Sequence, residues 1–229
     1  KTKDIFDRRF GVKTGAPETL EAIGKTLGIT RERVRQIEEA GFNVVRKQNK
    51  ETIENVYSQF ANYFAEQGGF KKEDAVLEQL GRLPAGRQGK NQKPYVLFLL
   101  TLGEQFSRVC EKKDFYYFWS NLEDAQNKVK ATLNSLVSEM QKAGKPMSKE
   151  EFVGLASKNG ISRQATLSYL EVSKRIQESK EGKLGLTDWP EIKPRGVKDK
   201  AFLVFQKHGK PLHFTKVAEL IDELEYNLP

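Results

Sequence analysis

Cysteine is almost absent from this 229-residue chain. The single thiol, Cys110, excludes an intrachain disulfide and any multi-cysteine metal site. Its apolar neighbours predict a buried thiol. Histidine is nearly as scarce. His208 and His213 are the only two, and neither has cysteines or carboxylates at metal-ligand spacing, so no metal is expected. His213 is expected to be structural, in a turn. No apolar run reaches bilayer-spanning length; Tyr95–Leu102, YVLFLLTL, is too short and must be buried. No signal peptide opens the chain, so a cytoplasmic protein without a membrane partner is expected. No phosphate-binding GxxxxGK[ST] loop occurs, and no nucleophile stands with an oriented base. Neither an enzyme nor a cofactor is therefore expected.

What the chain has is charge. Hydrophobic residues make up 38% and charged residues 31%, which suits two or three small, surface-rich modules. The net charge of +8 is uneven. Residues 1–50 hold 12 basic and 7 acidic side chains, and residues 145–213 hold 14 and 8. Residues 51–144 are balanced, and residues 214–229 are acidic. The two basic segments are where nucleic acid is to be sought; a mildly basic solvated surface is the plainer alternative.

The segment Thr19–Glu39, TLEAIGKTLGITRERVRQIEE, reads as helix, tight turn, helix. Leu20, Ile23 and Leu27 line one face of the first helix. Gly28 breaks the pattern where a positive φ is needed, and Thr30 is placed to cap the second helix. Val34 and Ile37 point back to the first helix. Arg31, Glu32, Arg35 and Gln36 stay on the other face, with chemistry that can reach guanine, adenine and cytosine edges. An ordinary helical pair with a solvated charged face is the alternative. The run TLEAIGKTLGITRERVRQIE resembles region 4 of the sigma-70 family, the part of a bacterial sigma factor that reads the promoter minus-35 element. The preceding DIFDRRFGV, Asp4–Val12, resembles the helix leading into it. The likeness spans about the first 45 residues. It implies Thr30, Arg31, Glu32, Arg33, Arg35 and Gln36 as the DNA-contacting set. The chain begins at Lys1, inside what the resemblance treats as a helix, so a fragment with sequence missing upstream is expected. Nothing resembles the sigma segment that melts the minus-10 element and grips the polymerase core. A regulator or a promoter-reading fragment fits better than a complete sigma factor.

Beyond it the spacing predicts a helix over about Glu51–Ala65 ended by Gly68-Gly69, a short helix over Lys72–Leu80, and a loop over Gly81–Lys93. A further helix over Tyr95–Leu102 is expected to continue through Phe106, Val109 and Cys110. The cluster Phe115–Trp119, FYYFW, can stack bases, but its flanks are not basic and packing is favoured. Ala125, Val129, Leu133, Leu136, Val137 and Met140 mark another helix.

A second candidate begins at Met147. Ser148 and Glu151 form a capping box, Asn159-Gly160 a turn, and Ser162 caps a helix to about Val172. Arg163, Gln164, Thr166 and Ser168 are candidates for a groove-facing side. Arg175–Ser179 and Lys183–Leu186 flank Glu181-Gly182 as a hairpin. This is the element order of a winged helix, with Lys174, Arg175, Lys180 and Lys183 placed to meet phosphates. The same fold also serves protein contacts, and the sequence leaves both open. From Val197, KDKAFLVFQKHGKPLHFTKVAELI resembles the HARE-HTH domain, a winged-helix type found in the delta subunit of bacterial RNA polymerase. Ala201, Leu203, Val204 and Phe205 are its expected apolar face. The chain stops at Pro229, before a recognition helix and wing can be completed, so this unit too is expected to be cut.

The expected fold is mainly α, with helix-turn-helix and winged-helix modules and small β-hairpin wings. The expected division is 1–48 (helix-turn-helix), 49–143 (helical, with a flexible loop near 81–93), 144–190 (winged helix) and 191–229 (partial HARE-HTH). The expected function is sequence-specific binding of promoter-like double-stranded DNA in bacterial transcription initiation or its regulation. The alternative is an RNA polymerase-associated protein-interaction module with little specific DNA binding.

Overall fold

The computed structural model describes residues 1–82 and 92–223; most of the segment expected as a loop near 81–93 lies outside them. The chain divides into two compact units. One holds Lys1–Glu111 with Tyr117–Gln126; the other holds Lys112–Tyr116 and the residues from Asn127 on.

In the first unit, α1 (Thr2–Arg9), α2 (Leu20–Leu27) and α3 (Arg31–Gln48) form a small bundle. Ile5, Ile23 and Val34 are fully buried at its centre, flanked by Leu20, Leu27, Ile29 and Ile37. Gly28 ends α2 at φ 64°, a left-handed conformation that any Cβ would penalise. Then come α4 (Lys50–Glu66), β1 (Phe70–Lys72), α5 (Glu73–Gly81), α6 (Lys93–Leu102), β2 (Ser107–Val109) and β3 (Phe118–Ser120). The strands make an antiparallel sheet ordered β1-β3-β2, with both Phe70 and Ser107 opposite Ser120. Phe60, Phe64, Val76, Leu80, Val96, Leu100, Phe106 and Trp119 form its core. Glu73, at the start of α5, accepts from Trp119 Nε1 at 3.0 Å and from Arg108 Nη2 at 2.6 Å, which ties that helix to the sheet.

The second unit carries α7 (Ala125–Ala143, which begins in the first), α8 (Lys149–Lys158), α9 (Arg163–Val172), β4 (Ile176–Glu178), β5 (Leu184–Leu186), α10 (Val197–His208) and α11 (Phe214–Glu223). The capping box forms as expected: Glu151 N–H donates to Ser148 Oγ at 3.2 Å, and Ser148 N–H to Glu151 Oε2 at 2.6 Å. β4 and β5 are an antiparallel hairpin turned at Gly182, φ 77°. Met147, just ahead of α8, adds a bridge to Leu184. Leu136, Met140, Met147, Phe152, Ile176, Leu184 and Leu186 make the core.

The fold is mainly helical with small antiparallel sheets, consistent with helix-turn-helix and winged-helix modules. Three expectations need correction. The helix through Tyr95–Leu102 is present but stops at Gly103, whose backbone is extended. The apolar spacing beyond it is real, but Phe106 folds back against Tyr57, Phe60 and Phe64 instead of continuing a helix. Cys110 is exposed, because it follows the edge strand β2 as the chain leaves the sheet. The FYYFW cluster packs as expected: Phe115 is buried, and Phe118 and Trp119 are buried in the central strand β3. Of the expected apolar face of α10 only Val204 is fully covered; Phe205 is 42% exposed, since neighbouring helical positions point in different directions and α11 covers one face.

Candidate nucleic-acid interface

The turn between α2 and α3 is set by three short polar or small residues. Thr19 Oγ1 accepts from Ala22 N–H at 3.1 Å and so starts α2. Thr30 Oγ1 accepts from Arg33 N–H at 3.1 Å and starts α3. Gly24 lets α2 lie against the turn: a Cβ there would stand 2.7 Å from the carbonyl oxygen of Ile29.

This geometry fixes which side of α3 meets solvent. Val34 is buried, while Arg31, Glu32, Arg33, Arg35 and Gln36 are all exposed along its first turns. Arg35 is clamped by two carboxylates. It donates to Glu32 through Nη2 at 2.9 Å and to Glu39 through Nη1 at 3.0 Å. The bond from Arg35 holds the Glu32 carboxyl below its ordinary value, and the same bond raises Arg35. Arg33 Nη1 donates to Gln36 Oε1 at 3.2 Å. Among the described residues, no hydrogen bond or ion pair is made by the Arg31 side chain. Glu38 turns the other way. It is buried and paired with Arg9 at 3.3 Å, and desolvation pushes its carboxyl up. Glu39 lies outside the set expected from sequence, although its i, i+4 spacing from Arg35 is a readable signal.

The second candidate set does not gather on one open face. Arg163 is exposed, with Glu150 3.9 Å away, and Gln164 is exposed beside it. Thr166 and Ser168, expected on the groove-facing side, are fully buried and bond back to the carbonyls of Ser162 and Gln164. Their short side chains return to the preceding turn instead of reaching outward. Lys174 donates to the Lys112 carbonyl at 2.9 Å and lies 5.1 Å from the Tyr116 ring centroid. Arg175 donates to Asn134 Oδ1 at 2.8 Å, with Asp114 4.0 Å away. Lys183 is exposed on the hairpin. His213 Nδ1 lies 2.7 Å from Thr215 Oγ1. Among the described residues there is no group of three potential metal ligands and no helix long and apolar enough to cross a membrane.

Comparison with known proteins finds likeness over the stretch that carries the first set. The family model of Sigma-70, region 4 matches residues 1–47. The RNA polymerase sigma factor SigA1 of Synechococcus elongatus is 37% identical over 57 residues, 25% of this chain and 14% of that protein. SigA of Microcystis aeruginosa matches to the same extent, and sigB of Arabidopsis thaliana is 38% identical over 50 residues, 22% of this chain and 9% of that protein. The chain thus spans about a seventh or less of these relatives. No solved structure matches it. The likeness to the HARE-HTH domain finds no counterpart in these matches. Over its first 47 residues this chain is similar to sigma region 4, which supports a DNA-binding role connected with transcription.

Proposed function

We propose that the chain binds promoter-like double-stranded DNA with α3 in the major groove. The observation that carries this reading is the exposed Arg31, Glu32, Arg33, Arg35 and Gln36 face, standing at the capped N-terminal end of α3 within the stretch similar to sigma region 4. The N-terminal turns of a second helix are where such motifs contact base edges. Arg31 is ready to do so. Arg35 must exchange Glu32 and Glu39 for the DNA, so its contact is made at the expense of an existing network. Exposed ion pairs of this kind are weak and screened by salt, which makes the exchange affordable.

Selection from random duplex DNA, run beside the Arg31→Ala/Arg35→Ala variant, tests the reading. A short enriched motif resembling a minus-35 element is expected. The variant should bind it more weakly by roughly tenfold or more per lost bidentate contact. An undiminished motif in the variant would sink the assignment of α3.

One observation favours a second reading, a protein-interaction module that engages RNA polymerase. A groove of about 550 Å³ beside α3 is lined by Phe6, Val12, Val44, Val45, Tyr95 and Phe98, and Val44 and Tyr95 are about half exposed. Salt separates the readings: binding through phosphates weakens steeply as salt rises, and an apolar interface does not.

A further inference from the structure

Four lysines distant in sequence converge on one groove of the second unit. Lys145 precedes α8, Lys180 and Lys183 belong to the turn of the β4–β5 hairpin, and Lys207 lies in the last turn of α10; all four are exposed. They line a groove of about 420 Å³ whose other walls include Ser179, Leu203 and Gln206. Glu181 and Glu191 also border it, and Gln206 Nε2 donates to Glu191 at 3.5 Å, so positive charge remains in excess. The Glu151 carboxyl is held low first by its hydrogen bonds with Ser148, and Lys145 and Lys183 both add to that lowering, which places the two ammonium groups in one local field.

Gathering like charges from three separate segments works against folding, and a polyanion relieves that cost. The residue type points to a particular polyanion contact. Lysine is a flexible point charge without the planar fork that reads a guanine edge, so it suits phosphate oxygens. The groove has no aromatic side chain on which an unpaired base would stack.

We propose that this groove seats the phosphodiester backbone of double-stranded DNA and gives the chain a second, sequence-independent hold. The proposal rests on DNA being the partner of α3, and it adds Lys145 and Lys207 to the contact set. Phosphate contacts of this kind fix register and strengthen binding without carrying sequence information.

The test titrates the full chain with a pool of random-sequence duplexes across a range of salt. Two triple variants are compared: K145Q/K183Q/K207Q in the groove, and K128Q/K130Q/K158Q at exposed lysines of α7 and α8 outside it. Both remove the same charge from solvent-facing positions, and unchanged circular dichroism melting confirms that both fold. The groove variant is expected to flatten the slope of log affinity against log salt by about 2 to 3, and to weaken binding about tenfold or more near physiological salt. The control variant should lie close to the parent chain. Equal slopes for the parent and the groove variant, equal losses in both variants, or no binding of the pool by the parent at low salt would each overturn the proposal. The reading of α3 fails separately. If no motif is selected while the groove variant still loses slope, the groove stands and α3 is not the reader.

Discussion

Residues 50–120 and 125–186 repeat one element order and use its third helix in opposite ways. Each runs helix, a strand or single-residue bridge, helix, helix and then two strands, with the early pairing made to the last strand: β1 to β3 in the first case, Met147 to β5 in the second. In the first, the third helix is α6, whose sequence KPYVLFLLTL carries Pro94 in its opening turn and no side-chain cap. One side of α6 enters the sheet core through Val96 and Leu100, and the other packs on α1 and α3 through Leu97, Phe98, Leu99 and Leu102. In the second, the third helix is α9, capped by Ser162 and opening with exposed Arg163 and Gln164. The same architecture thus holds a buried helix in one place and leaves a polar helix end open in the other. A helix apolar all round has to be covered, and one with a polar end is available to a partner.

The largest effect expected from this contrast is at Phe98. Its ring lies 5.3 Å from Phe10, 5.4 Å from Phe6 and 5.8 Å from Phe42, so it joins α6 to α1 and α3. Phe98→Ala should lower the unfolding free energy of the first unit by about 2–3 kcal/mol; the ring is only partly buried, which keeps the loss below that of a fully buried phenylalanine. Gln164→Ala at the open end of α9 should stay within about 0.5 kcal/mol. Urea unfolding of both variants measures the difference. Equal effects would mean that α6 is not the covered member of the pair.

The helix caps come next. Thr30 and Ser162 each accept a backbone N–H three residues on, from Arg33 and Ala165 at 3.1 and 3.2 Å. Thr30→Ala and Ser162→Ala should each cost about 1 kcal/mol. The Thr30 change should also weaken DNA binding, because the first turn of α3 would lose its anchor. Thermal melts and duplex titrations of the two variants check both statements, and a Ser162→Ala chain that loses as much DNA affinity as Thr30→Ala would give α9 an equal share in recognition.

Much of this was readable from sequence, and for physical reasons. The turn at Gly28, the caps at Thr19 and Thr30, and the inward Val34 depend on residues within a few positions of one another. The same holds for the Ser148 box and the Gly182 hairpin. What escaped depends on distance along the chain. Strands β1, β2 and β3 are three residues each, too short to show a period, and β1 meets β3 only after some 50 intervening residues. Phe106 keeps helical spacing yet belongs to a loop, since Gly103 and the rings of Tyr57 and Phe60 decide its place. The engagement of Arg35 by Glu39 was local and readable. The ties from Lys174 to the Lys112 carbonyl and from Arg175 to Asn134 were not, because their partners lie 62 and 41 residues away.

The smallest predicted effect concerns a tyrosine that joins first and third helices in each repeat. Tyr57 on α4 donates to the Leu99 carbonyl of α6 at 2.9 Å, and Tyr169 on α9 hydrogen-bonds with Thr132 of α7. Burial raises both phenols, Tyr57 from 10.0 to about 12. Between those two values the unfolded chain loses the Tyr57 proton while the folded chain keeps it. The unfolded state then binds fewer protons, so stability falls as pH rises through this window. Tyr57→Phe removes that loss. At neutral pH it should cost only about 0.5–1.5 kcal/mol, because the Leu99 carbonyl still accepts from Gly103 N–H at 3.1 Å and is not orphaned. Parent and variant stabilities should therefore converge as pH rises above 10. A constant gap across that range would show that Tyr57 ionises as readily folded as unfolded, and that α4 and α6 are not joined through its hydroxyl.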